Sequence, residues 1–123
     1  MANGLILNGS LAYSGNNATV AEAVVNLAAV VTGNGFNPLA SHSVPTASEA
    51  IPLGSVSAAG GWLFVRNNDP TNYVQILTAT SGTPFARLLP GEFCLLRLDA
   101  GLTAPFWQAH TGNCLCSLAI FDA

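Results

Sequence analysis

Beyond Gly60 the chain runs as short apolar stretches, each rich in aromatic or branched residues and each closed by turn-forming residues, which predicts strands. Between Gly61 and Arg66, Trp62 and Phe64 fall on one side of a strand and Leu63 and Val65 on the other, because side chains alternate. Both sides are apolar, so both are expected to be covered. Asn67 to Asn72 concentrates residues that cap their own backbone or preset a turn dihedral, and predicts a tight connection to a strand over 73–78. A stretch over 85–89 ends in Pro90-Gly91, which suits the central positions of a type II turn and predicts a hairpin with 92–98. Asp99 to Gly101 turns again, and 105–109 and 114–121 supply two more strands. Strands this closely spaced predict a sandwich or barrel.

The first half is patterned differently. Leu5 to Leu7 and Leu11 to Tyr13, interrupted by Asn8-Gly9, predict one bent or bulged strand. Residues 18–31 are compatible with a helix capped by Asn16 or Asn17. Five valines, the flanking glycines and an alternation that puts Ala21, Ala23, Val25, Leu27, Ala29 and Val31 on one face favour two strands instead. Thr32 to Gly35 predicts a turn, and Ser41 to Ser57 a loop with one short edge strand. The expected fold is all-β: a single antiparallel β-sandwich domain, jelly-roll-like, over 1–123, with a short helix as the alternative in the first half. Residues 1–10 form a candidate intersubunit arm, since the apolar Leu5-Ile6-Leu7 strand suits addition to another subunit's sheet.

Composition changes what this domain is for. Three arginines and six acidic residues are its only fixed charges, it has no lysine, and 50% of it is hydrophobic. An average soluble domain is about one quarter charged, so much of this surface calls for a membrane or for neighbouring chains to cover it. A bilayer span takes about 20 consecutive apolar residues, and the best stretch, Val20 to Val31, is shorter and broken by Glu22 and Asn26. The start lacks the basic cluster and long apolar core of a secretory signal, so the chain is expected to stay in the compartment where it is made. A net charge of −3, with only Arg66, Arg87 and Arg97 as cations, forms no basic stripe and argues against direct nucleic-acid binding.

The raw material for catalysis is thin. His42 and His110 are far apart, and the carboxylates stand singly, so no enzyme and no cofactor are expected. Cys114 and Cys116 with His110 make the most metal-like cluster, but no fourth ligand accompanies them and no metal is expected. With Cys94 they are read as reduced core thiols. Most aromatics lie in the second half as core, yet adjacent Phe106 and Trp107 face opposite ways if extended, leaving one to anchor an intersubunit contact. The candidate interface residues are Leu5, Leu7, Trp62, Phe106 and Trp107.

The segment from Gly61 to Ile76, with Asn67-Asn68-Asp69-Pro70-Thr71-Asn72-Tyr73-Val74 at its centre, resembles a recurrent segment of small tailed-bacteriophage structural proteins. Leu89 to Phe93 supplies the family's second element, a Pro-Gly-Glu turn before an apolar strand, and Leu11 to Val20 is similar to its opening hairpin. The likeness is close over about 35 residues and loose over most of the chain; low charge, absent lysine and the Ala-rich 18–31 depart from it. The resemblance implies a virion component on a β-sandwich, a capsid decoration or cement protein on the outer surface of the head after assembly in the host cytoplasm. Its partners would be the major capsid protein and its own copies, in a homo-oligomer expected to be a trimer. A tail, neck or fibre-base subunit is the first alternative. A carbohydrate-binding module using Trp62 or Trp107 as a sugar platform is the second.

Overall fold

A computed structural model describes residues 3–16, 18–31, 35–36, 42–57, 60–102 and 104–122. The described residues are all-β and antiparallel: β1 (Asn3–Ser14), β2 (Thr19–Val31), β3 (Gly35–Phe36), β4 (His42–Val44), β5 (Glu49–Ala50), β6 (Trp62–Asn67), β7 (Val74–Leu77), β8 (Pro84–Leu88), β9 (Phe93–Arg97), β10 (Phe106–Ala109) and β11 (Cys114–Phe121). The contacts divide the chain into two compact units, 1–32 and 33–123. The sequence places 1–123 in one sandwich; the sandwich found is that of the second unit.

In that unit the strands pair as β4–β11–β6–β9 and β5–β10–β7–β8, with β3 also paired to β11 beyond β4. Counted from β4, the orders are first–eighth–third–sixth and second–seventh–fourth–fifth, the pairing of a jelly roll. Between the sheets lies one core, to which the first contributes Val44, Leu63, Val65, Cys114, Cys116, Leu118 and Ile120 and the second Val74, Ile76, Leu88, Trp107 and Ala109. Burying each large side chain of this set contributes about 1.5–3 kcal/mol.

The turn chemistry forms as expected, and it joins sheets. Asp69 Oδ2 accepts the N–H groups of Asn72 at 2.7 Å and Thr71 at 3.0 Å, so a carboxylate replaces the missing backbone acceptors between β6 and β7. After β8, Gly91 sits at φ 86° and the Glu92 N–H donates to Leu89 O at 2.9 Å, a type II turn around Pro90-Gly91. The two turns meet: the Asn67 N–H donates to Glu92 O and the Gly91 N–H to Asn67 O, both at 2.9 Å. The expectation of a hairpin at Pro90-Gly91 is corrected, because β8 pairs with β7 and β9 with β6. Likewise β6 and β7 lie in opposite sheets. A turn reverses the chain, but burial of both inner faces selects the pairing partner. Ser41 to Ser57 yields two short edge strands, β4 and β5, where one was expected. The turn predicted over Thr32 to Gly35 lies largely outside the described residues.

The first unit is a hairpin of β1 and β2, so 19–31 is one strand rather than two strands or a helix. Its register shifts between Leu7↔Leu27 and Gly9↔Val24, leaving Val25 and Asn26 opposite Asn8 alone. Asn26 carries the extra residue at φ 53°, a left-handed conformation asparagine tolerates, and its N–H donates to Asn8 Oδ1 at 2.8 Å. The predicted bulge is therefore present, with the inserted residue on β2.

Candidate assembly interface

The inner face of β4–β11–β6–β9 is core; its outer face is what the sequence leaves unexplained. Register aligns the outward positions in rows across the sheet: Phe121, Trp62 and Arg97; Ala119, Phe64 and Leu95; Ser117, Arg66 and Phe93. Leu115 follows on β11. Phe93 is 62% exposed, and Leu95 and Leu115 are exposed as well, while Trp62, Phe64 and Phe121 are half-buried. A solvated antiparallel sheet face is normally polar. The other sheet has one polar outward row, Gln75, Gln108 and Arg87, flanked by Phe85 and Phe106.

On the β4–β11–β6–β9 face, Arg97 ends the row of Phe121 and Trp62, and Arg66 stands between Ser117 and Phe93. The Arg97 guanidinium lies 5.7 Å from the Trp62 ring centre and donates from Nε to Gly60 O at 3.2 Å. Phe64 and Phe93 rings approach to 6.2 Å, and a shallow hollow is lined by Phe64, Arg66, Gly91 and Phe93. Neither Arg66 nor Arg97 has a carboxylate partner among the described residues.

The hairpin has a second apolar face. Cross-strand partners share a face, so Leu5, Leu7, Leu11 and Tyr13 lie with Ala29, Leu27, Glu22 and Val20, and Gly9 with Val24. Behind them Ser10, Ala12 and Ser14 pair with Ala23, Ala21 and Thr19, all small. The expected grouping of Ala21 and Ala23 with Leu27, Ala29 and Val31 is corrected: the added residue at Val25-Asn26 swaps the faces midway along β2. It puts Leu11, Tyr13, Val20, Val24 and Leu27 on one exposed stripe, while Ile6, opposite Ala28, is exposed on the other face. Glu22 is the one charged residue among 3–31, and it stands within that stripe.

Of the candidates read from sequence, Leu5, Leu7 and Trp62 fall on these two faces. Trp107 is corrected to a core residue: it is wholly buried, its ring centre lies 5.3 Å from that of His42 in a tilted pair, and it donates from Nε1 to Glu49 Oε1 at 2.9 Å. Phe106 points outward from the other sheet, half-buried beside Leu77 and Ala50. Phe64, Phe93, Leu95, Leu115 and Phe121 were missed, although the alternation that marks Trp62 also runs through 93–97. Leu11, Tyr13, Val20 and Val24 were missed because the bulge hides their common face.

The polar candidates have structural partners. His110 stacks on Tyr73 at 4.7 Å, with the Arg87 guanidinium 4.5 Å from the same ring, and His42 lies 3.8 Å from Glu49. Cys114 Sγ contacts Asn67 Oδ1 at 3.1 Å and Cys116 Sγ at 4.0 Å. Burial pushes all three thiols above the usual range, Cys116 furthest. No group of His, Cys, Asp and Glu among the described residues could hold a metal ion. No protein-family model, curated protein or solved structure matches the chain.

Proposed function

We propose that the chain is a structural subunit of a tailed-phage virion, a capsid decoration protein that works by binding, as a homo-oligomer, between major capsid subunits. The observation that carries this reading is the apolar outer face of β4–β11–β6–β9. Exposed patches of this kind, rimmed by polar residues, mark contact surfaces. A chain this poor in charge has little else to keep such a face wetted. Jelly rolls serve both capsid proteins and lectins, so the argument rests on the surface and not on the fold. The carbohydrate-binding alternative is weakened, since Trp107 is core and Trp62 is half-covered and capped by Arg97. Net acidity suits a position away from packaged DNA.

Quantitative mass spectrometry of purified virions, combined with surface labelling of intact particles, tests the reading. Copy number on the scale of the capsid lattice, with accessible chains, is the expected result. Copy number on the scale of a tail or portal ring moves the chain to the tail, neck or fibre base, and absence from particles overturns the virion role.

A further inference from the structure

Glu22 is a lone carboxylate within an apolar stripe. It lies opposite Leu11 and between Val20 and Val24 along the stripe, and it has no ion-pair partner among the described residues. Covering that stripe with an apolar surface would desolvate the charge at a cost of several kcal/mol unless a cation meets it. Whatever covers the hairpin must therefore be apolar and carry a positive group. Packing one hairpin on another fails this condition, because no Lys or Arg precedes Arg66. The outer face of β4–β11–β6–β9 meets it, being largely apolar, with Arg97 at its edge and Arg66 on its inner strand between Ser117 and Phe93, neither matched to a carboxylate among the described residues.

We propose that copies of this chain assemble by exchange, the hairpin of one copy lying on the outer face of the β4–β11–β6–β9 sheet of a second copy, with Glu22 directed to Arg66 and Arg97. This rests on the assembly reading above and names its self-contact. Size supports it. Two strands about 40 Å long and about 10 Å wide present roughly 400 Å², and four strands of about six residues present roughly the same. A stable interface buries about 800 Å² per partner, so neither patch suffices alone. A copy that both gives its hairpin and receives another uses both patches and reaches that area. Such a contact joins two different surfaces, and both patches count toward one interface when two copies exchange hairpins reciprocally and close into a pair.

Charge reversal in full-length chains tests the proposal. Glu22→Arg sets a cationic hairpin against a cationic face, and Arg66→Glu with Arg97→Glu sets like charges together in the other sense. Like-charge juxtaposition costs several kcal/mol, so each variant should lose about a hundredfold in self-association by analytical ultracentrifugation. Far-ultraviolet circular dichroism of the sheets should stay unchanged. Mixing the two variants should restore association in equal proportion, because each hairpin then meets a face of opposite charge. A chain carrying all three substitutions should self-associate again. Restoration in that chain without restoration on mixing overturns exchange between copies. Wild-type oligomers indifferent to both reversals overturn this contact and leave the assembly reading standing, whereas a wild-type chain that stays monomeric overturns both.

Discussion

Asn67 ties the sandwich together where its two turns meet. Its side chain is wholly buried, donating from Nδ2 to Asn72 O and Leu88 O, both at 2.9 Å, and accepting the Asp69 N–H on Oδ1 at 2.8 Å. Asn67→Ala would strand these three backbone groups in a place water reaches poorly, and stranded groups cost about 1–3 kcal/mol each. The expected loss is about 3 kcal/mol, partly relieved by local relaxation, read as a lower urea midpoint by tryptophan fluorescence. Asp69 gives the same region a pH dependence. Hydrogen bonds from the Asn72 and Thr71 N–H groups hold its carboxyl below the ordinary aspartate range. A lowered folded-state pKa means the stabilisation is present above the unfolded-state value and fades as pH falls through the folded one. Urea midpoints of the wild type should therefore fall as pH drops below about 4, the ordinary aspartate value, with Asp69→Asn losing less.

At the scale of elements, the hairpin bulge decides which side chains share a face. Deleting Asn26 would restore regular pairing, Asn8 opposite Val25, and leave Val20, Glu22 and Val24 on the face of Leu11 and Tyr13, because each keeps its cross-strand partner. The expected outcome is self-association retained by analytical ultracentrifugation, since the stripe survives; lost association would show that the local twist of the bulge is itself part of the contact. The same bulge explains what the sequence could and could not yield. Asn8-Gly9 announced an irregularity, since both residues favour turns and bulges, but nothing in the alternation of 18–31 showed that the inserted residue sits on the partner strand. Local chemistry likewise revealed the turns at Asn67–Asn72, Pro90-Gly91 and Asp99–Gly101, which depend on a few adjacent residues. It misassigned the pairing across them, because whether β9 joins β8 or β6 is settled by which inner faces the core buries together. Trp62 was legible as a residue of an apolar outer face from a strand apolar on both sides. Phe93 and Leu95 gain their meaning only beside Arg66 and Phe64, across a pairing with nonlocal origin.

For the whole molecule, scarcity of charge is the property that links fold to role. Nearly every group available for contact is apolar or neutral, so in the proposed role copies should associate by burial of the sheet face and hairpin, and attachment to a capsid lattice should use the neutral surface that remains and be only trimmed by ion pairs. Two consequences separate this from an electrostatic adhesive. Salt near 1 M shortens the screening length to about 3 Å, which would release a protein held by charge; here a wash of that kind should leave particles decorated. Heating should show the mechanical effect. Each copy touching more than one capsid subunit acts multivalently, and linked contacts raise effective concentration even where a single contact is weak. Virions depleted of the chain should then release DNA at a lower temperature than decorated ones, and adding the purified protein back should restore the original release temperature. Equal release temperatures with and without it would remove the clamp while leaving a surface location intact. Stripping by salt alone would instead assign attachment to the few charges, with Arg66, Arg87 and Arg97 the first to substitute.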